Sequence, residues 1–404
     1  MSSQTPPIKT GDQIGSFQLS SVDPSGPAFT PLLYRQREET FPGRTAQIRH
    51  GSYLRRLPKK DSLNIGSKIS ETPHFNVDDF MRQHGLTGCM VVRNGAVRLE
   101  EYRHGNTPAS RNDIQSITKS VISTALGVAI QQGKLSVEDT VARHVHELKG
   151  TAWADVPLLA LVNMSAGVVE LSDEARPADV PNPMYATHLY PSRDRNAVHD
   201  WLKTFKKVFE PGHEFHYYNP NFYVLSWAIS QATQVPLEEY VSQHIWDPAG
   251  MQYDAYIRTT AAGRVDGHGG LSVTLSDMAR FGCFVLDGVK SNGQGPSVPA
   301  GWFQDISAAK NSVGPRAAGA NDIIPTFGYE AGWWTPARGA EGGLLRENEA
   351  FAGLGMYGQA MYIVPKLETV IVTQSGYPEH SWDLFAHNIE FATAIVKVLQ
   401  EVDK

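Results

Sequence analysis

Ser116-Ile117-Thr118-Lys119 sets a hydroxyl and an amine three residues apart, in a stretch whose apolar residues Ile117, Val121, Ile122, Ala125, Val128 and Ala129 recur at helical spacing. On a helix that spacing puts both side chains on one face, within reach of each other. A serine in the first turn also meets backbone N–H groups that lack an intrahelical acceptor, and the positive end of the helix dipole. Both suit an oxyanion forming on an attacked carbonyl. The chemistry this suggests is nucleophilic, with Ser116 Oγ attacking and Lys119 taking its proton. An ordinary lysine is charged at neutral pH, so the amine can act as a base only if desolvation and hydrogen-bond acceptors keep it neutral.

A Ser-x-x-Lys pattern alone is weak, since a chain this long should contain about one or two by chance. Ser307-Ala308-Ala309-Lys310 is such a copy. It follows a predicted helix instead of opening one, and reads as a surface helix end. The second signal is Tyr217-Tyr218-Asn219, the one Tyr-x-Asn among fifteen tyrosines, placed just before a predicted helix. A phenol and a carboxamide beside a lysine can hold the amine neutral and carry its proton to a leaving group. In isolation the same residues would read as a buried aromatic plug with a capping asparagine.

The elements that must position these groups are legible in part. Cys89–Val92 and Val97–Glu100, joined through Asn94-Gly95, predict a hairpin. Ser116 to Gln132 predicts a buried helix that Gly133 stops in a left-handed conformation. Shorter helices are expected at Asn196–Lys207, Asn221–Gln231 and Pro236–Trp246, around a Pro-rich loop at 177–195, then a longer one at Leu275–Leu286. Strands at Gln359–Val364 and Thr369–Gln374 precede a terminal helix over about 382–400. Sheet pieces at both ends with a helical block between them predict an α+β fold: an antiparallel sheet flanked by helices plus a mostly helical lobe, with the cleft at their junction. Residues 1–75 read as an extended arm. The body then spans 76–404, its sheet lobe from about 76–110 and 270–404 and its helical lobe over about 111–269.

Bulk properties narrow the function. A net charge of −6 gives no footprint for nucleic acid or an anionic membrane. No apolar run approaches the ~18 residues that span a bilayer. The start, Met1-Ser2-Ser3-Gln4-Thr5-Pro6-Pro7, lacks a secretion signal, and Cys89 and Cys283 read as buried thiols in a reducing compartment, so the expectation is a cytoplasmic protein. The Arg55-Arg56 and Lys59-Lys60 runs read as solvated surface. His144-Val145-His146 lacks further ligands at useful spacing and reads the same way, so neither a metal nor another cofactor is expected. Self-association into a homo-oligomer is left open.

From about residue 85 to 400 the chain resembles the serine β-lactamase and penicillin-binding protein superfamily. The likeness is greatest to its class C and carboxylesterase branch and, within that, to the 6-aminohexanoate-dimer hydrolases. It rests on Ser116-Ile-Thr-Lys-Ser-Val with Gly133-Lys-Leu-Ser-Val-Glu-Asp, and on Glu214-Phe-His-Tyr-Tyr-Asn with Val224-Leu-Ser-Trp-Ala-Ile. His268-Gly-Gly-Leu-Ser-Val-Thr-Leu-Ser-Asp-Met and Gly353-Leu-Gly-Met-Tyr-Gly-Gln follow in the same order. The resemblance implies that Ser116 is acylated, Lys119 is the base, Tyr217 relays protons and Asn219 orients lysine and substrate. It further implies that the N–H groups of Ser116 and Met356 form the oxyanion hole.

Two departures bear on the substrate. Where many relatives carry Lys-Thr-Gly, this chain has Gly355-Met356-Tyr357, and its one Lys-Thr-Gly, Lys9-Thr10-Gly11, lies in the N-terminal arm. The cation that grips a penicillin carboxylate is therefore missing from its place, which disfavours β-lactamase and D-peptidase action. The tyrosine that the nylon-oligomer enzymes carry in the loop aligned near Glu170 is also absent. The expected substrate is a small-molecule ester or linear amide with an uncharged or weakly charged acyl group. Ser165, Glu170, His268, Trp334 and Tyr357 are candidate contacts, within an aromatic set that also includes Tyr329, Trp333 and Trp382. The rival readings are an acyltransferase that passes the acyl group to an alcohol or amine, and a non-catalytic binding scaffold. A Ser-His-Asp esterase lacks its Gly-x-Ser-x-Gly elbow, the nearest approach being Asn163-Met164-Ser165-Ala166-Gly167.

Overall fold

Asn94 and Gly95 both adopt positive φ, 51° and 70°, the conformation that lets a two-residue turn match the twist of its flanking strands. The hairpin they close lies at one edge of a seven-stranded sheet. The computed structural model describes residues 35, 44–60, 80–81, 84–170, 195–311, 327–336, 343–376 and 382–402. In chain order the strands are β1 (Thr45–Ile48), β2 (Leu86–Arg93), β3 (Ala96–Tyr102), β4 (Arg111–Asp113), β5 (Val168–Val169), β6 (Lys206–Lys207), β7 (Ala255–Arg258) and β8 (Leu271–Thr274). They continue with β9 (Phe327–Glu330), β10 (Trp333–Pro336), β11 (Phe351–Gly355), β12 (Gln359–Val364) and β13 (Thr369–Ser375). The helices that matter most are α1 (Ile117–Gln131), α2 (Leu158–Val162), α3 (Pro220–Thr233), α4 (Leu275–Lys290) and α5 (Trp382–Val402).

The large sheet runs β3-β2-β13-β12-β11-β10-β9, every neighbour antiparallel. Because side chains alternate along a strand, its two faces are separately covered. Val370 and Ile363, register partners, meet α4 at Gly282, where a Cβ would lie 2.4 Å from Val370. Tyr362 and Thr373 point to the opposite face and bind Asn388 of α5, Tyr362 Oη donating to Asn388 Oδ1 at 2.9 Å and Asn388 Nδ2 donating to Thr373 Oγ1 at 3.0 Å. The result is a helix–sheet–helix sandwich with a continuous buried core.

A second, four-stranded antiparallel sheet, β1-β7-β8-β4, was not foreseen in the sequence. Its strands have three or four residues each, and one of them, β4, is Arg111-Asn112-Asp113 with no apolar residue, so no alternation develops. Its role is positional. β4 and β8 pair from Arg111↔Thr274 to Asp113↔Ser272, and Thr274 then caps α4 by accepting the Asp277 N–H at 3.2 Å.

Several expected elements form with altered limits. The helix expected at Asn196–Lys207 spans Ala197–Lys203, because Lys206–Lys207 pairs instead with Val168–Val169. The one expected at Pro236–Trp246 is a short α-helix, Leu237–Val241, that widens into a π turn over Ser242–Trp246. Gly133 does stop α1, at φ 69°. Both cysteines are buried free thiols. Two surface readings need correction. Arg55 is held in place, its NH2 2.7 Å from Asp287 Oδ2, and His144 pairs with Asp139 at 2.9 Å as a largely buried tie. Among the described residues no group of His, Cys, Asp or Glu is arranged to hold a metal, and no helix is long and apolar enough to cross a membrane. The loop at 177–194, Lys9-Thr10-Gly11 and the side chain of Trp382 lie outside the described residues.

Candidate active site

Ser116 sits at the N-cap of α1, where three constraints set its position. The Asp113 carboxylate accepts the Gln115 N–H at 2.8 Å, turning the chain out of β4, and Gln115 itself takes positive φ, 51°. The Ile114 N–H continues the β4–β8 ladder by donating to Leu271 O at 2.9 Å. Thr118 Oγ1 donates to Gln115 O at 2.6 Å and accepts the Leu271 N–H at 3.2 Å. The small sheet thus fixes the start of α1 against the segment that leads into β8, and that segment carries His268.

The Lys119 side chain is 1% exposed. Its Nζ lies 2.8 Å from Ser116 Oγ and donates to the backbone carbonyl of His268 at 2.6 Å. It also lies 5.0 Å from the ring centroid of Tyr217 and 5.9 Å from that of Phe222. Burial drives this amine well below the ordinary lysine range; the Asp266 carboxylate opposes that shift and the Arg258 guanidinium adds to it. A neutral amine in hydrogen-bond contact with a serine hydroxyl can accept its proton.

Tyr217 is brought in from the loop before α3 and packed from behind. Its ring stacks on Trp334, centroids 5.5 Å apart and planes 19° apart, and meets Tyr329 edge-on at 5.9 Å. Trp334 and Tyr329 are buried, so they face Tyr217 and not open solvent. Burial and the neighbouring Tyr217 push the Tyr329 phenol well above its usual range, leaving it neutral. Asn219 occupies the N-cap position of α3, two residues beyond Tyr217.

On the other side, β11 ends against the approach to α1. A Cβ at Gly353 would lie 3.1 Å from Ile117 Cγ2, and one at Gly355 would lie 2.4 Å from Ile114 O, so glycine is required for this contact. Met356 and Tyr357, both half-buried, follow directly, and Tyr357 takes positive φ, 62°. The β9–β10 turn is pinned beside them. Ser120 Oγ donates to Gly332 O at 2.9 Å, Ser123 Oγ donates to Ala331 O, and Asn163 Oδ1 accepts the Ala331 N–H at 2.8 Å.

The remaining candidates fall differently. Ser165 is buried, its Oγ donating to Ala160 O at 3.4 Å, and it lines a cavity of about 670 Å³ that contains neither Ser116 nor Lys119. Glu170 accepts the Trp201 indole N–H at 2.8 Å. His268 contributes its carbonyl to Lys119, while its imidazole is buried beside Arg258. Trp333 is core, edge-on to Phe351. Ser307, in the chance copy of the motif, ends a short helix and donates to Glu349 O, while Lys310 pairs with Asp305. Sequence reasoning missed Arg258 and Asp266. The available signal was weak: Arg258, Arg264 and Asp266 are the charged residues of a glycine-rich stretch, Ala255–Thr274.

Comparison with known proteins agrees with the fold. A family profile described as Beta-lactamase matches residues 76–384. A 6-aminohexanoate-dimer hydrolase from Paenarthrobacter ureafaciens is 28% identical over 293 residues, 72% of each chain. The structure of a candidate 6-aminohexanoate-dimer hydrolase from Bacillus anthracis superposes with a TM-score of 0.76 at 23% identity, covering 93% of this chain and 95% of that one. EstCE1, described as a hydrolase with promiscuous acyltransferase activity, superposes with a TM-score of 0.58 at 15% identity, covering 83% and 98%. The profile spans both the start of α1 and the end of β11, the segments that meet around Ser116, and on that match the chain belongs to the Beta-lactamase family of serine-type hydrolases.

Proposed function

We propose that this protein cleaves an ester or linear amide through an acyl-enzyme on Ser116. The observation that carries the reading is the 2.8 Å contact between Lys119 Nζ and Ser116 Oγ at an amine 1% exposed to water. Lys119 takes the Oγ proton as Oγ bonds to the substrate carbonyl carbon. The carbonyl oxygen gathers the displaced electron pair and is held by the N–H groups of Ser116 and Met356. When the carbon–heteroatom bond breaks, the leaving group takes a proton from the Tyr217 phenol, which Lys119 replenishes, and Asn219 orients lysine and substrate. Water then attacks the ester by the same steps in reverse and releases the acid. Metal and cofactor play no part in this scheme.

The substrate class rests on the segment where β11 ends. Gly355-Met356-Tyr357 offers no cation for a carboxylate, which favours an uncharged acyl group. Incubating the protein with a mixed ester and amide library and reading intact mass tests both parts. The expected result is a mass increment on Ser116 equal to a neutral acyl group. Rapid hydrolysis of a penicillin chromogen without ester turnover would refute the substrate class.

Acyl transfer is the second reading, favoured by the structural likeness to EstCE1. An activated ester supplied with and without alcohol or amine acceptors separates the two, since transfer product outpacing free acid identifies a transferase.

A further inference from the structure

Lys119 shares its buried surroundings with an ion pair that the scheme above does not use. Arg258 ends β7, and Asp266 and His268 lie on the turn that leads into β8. Asp266 is 0% exposed and His268 is 5% exposed. Arg258 Nε donates to Asp266 Oδ2 at 2.5 Å, its NH2 lies 3.4 Å from His268 Nε2, and its NH1 lies 3.9 Å from Asp113 Oδ2. The Gly269 N–H also donates to the Asp266 carboxylate. The backbone closes the same loop, since the Arg258 N–H donates to Gly270 O at 3.1 Å and the Asp266 N–H to Arg258 O at 3.2 Å. Gly269 and Gly270 are what let the arginine in. A Cβ at Gly270 would lie 2.5 Å from Arg258 Cβ, and one at Gly269 3.3 Å from its NH2.

Sealing two opposite charges from water seldom adds stability over apolar residues of the same size. Here the pair ties down the chain before and after His268, at Asp266 and at Gly269, and the His268 carbonyl is the 2.6 Å acceptor of Lys119. We propose that Arg258 and Asp266 are positioning residues, a balanced ion pair that locks the His268 carbonyl onto Lys119 and keeps the net field at the amine small. This deepens the acyl-enzyme reading and rests on it.

The balance is electrostatic as well as geometric. Asp266 draws a proton onto Lys119 and Arg258 repels it, so the pair acts in opposite directions on an amine whose basicity is lowered above all by burial. The other groups facing Lys119 leave that balance in place. Ser116 on α1 and Tyr217 from the loop before α3 are hydroxyls, with Tyr329 held neutral beyond Tyr217. Burial, then Arg258, then Lys119 itself push the His268 imidazole well below its usual range, so it is neutral. Asp113 on β4 touches the far side of the guanidinium.

The test is the rate of Ser116 acylation by an uncharged fluorophosphonate as a function of pH, with thermal unfolding measured in parallel. Wild-type protein and three variants are needed: D266N, D266N/R258Q and, as a control, R280Q. Asn retains one acceptor oxygen for Arg258 but leaves the guanidinium uncompensated. D266N should therefore move the acid limb of the profile down by roughly one pH unit. Adding R258Q removes the second charge and should return the limb to its wild-type position. Arg280 pairs with Asp277 at 2.8 Å on α4, so R280Q should lower thermal stability without moving the limb. If D266N does not fold, the double variant, which removes both charges of the pair, decides alone. An unmoved limb supports the balance, and a displaced one overturns it. Labelled wild-type protein with the same limb in D266N overturns the ion-pair role only, whereas wild-type protein unlabelled at Ser116 overturns the acyl-enzyme reading and this inference with it.

Discussion

A side-chain carbon added to Gly355 would lie 2.4 Å from the carbonyl oxygen of Ile114. The end of β11 and the approach to α1 are therefore in backbone contact, with room for hydrogen alone. Gly355→Ala must push the strand away from Ser116. The expected outcome is a loss of about 1–3 kcal/mol in stability from overpacking, read by denaturant unfolding. Because Met356 follows immediately, kcat on an ester should fall about 10²- to 10³-fold, the usual cost of losing an oxyanion donor. Full activity in the folded variant would remove Met356 from the oxyanion hole.

Lys119→Met tests the proposed base. Acylation of Ser116 should fall by at least about 10²- to 10⁴-fold, the contribution of a positioned general base, and Ser116→Ala should abolish labelling outright. The stability effect has a definite sign. The folded-state pKa of Lys119 lies below the unfolded value of about 10.4, so the unfolded chain binds more protons across that interval and stability rises with pH. The cost of burying the amine is fully present below the folded pKa and is gone above the unfolded one. Unfolding measured at intervals from pH 7 to 10 should show wild-type protein gaining stability relative to Lys119→Met. A constant difference would mean that the amine is not depressed.

Tyr217→Phe keeps the stack on Trp334 and removes one oxygen. Turnover should fall about 10²- to 10⁴-fold, as for loss of a proton-transfer group, with little change in melting temperature. The loss should be smaller for an activated nitrophenyl ester, whose leaving group needs no proton, than for a plain amide. Equal losses on both substrates would exclude the relay role.

Cys89 and Cys283 are fully buried, and burial raises both thiols, that of Cys283 to about 12. Neither should react with a thiol-disulfide reagent in the native protein, and both should react after denaturation. Rapid native-state modification would place a cysteine outside the core.

The pairing of Ser116 with Lys119 was legible because it is local: three residues on one helix fix the relation of two side chains without help from the rest of the chain. The Asn94-Gly95 hairpin and the Gly133 stop were legible for the same reason, since each needs a backbone conformation that few residues adopt. Tyr217 could be singled out by its motif, but no spacing implied that it would stack on Trp334, a residue far along the chain. The small sheet was invisible, because its three- and four-residue strands carry no period. That sheet is what brings β4 and β8 together, and with them the His268 carbonyl, Arg258 and Asp266 to Lys119. The amino-acid sequence alone thus determined which hydroxyl and amine face each other, as a consequence of helix geometry. Whether that amine is dry, what holds it and which charges it feels were decided only by tertiary structure, because desolvation and electrostatic fields depend on what distant segments pack around a group.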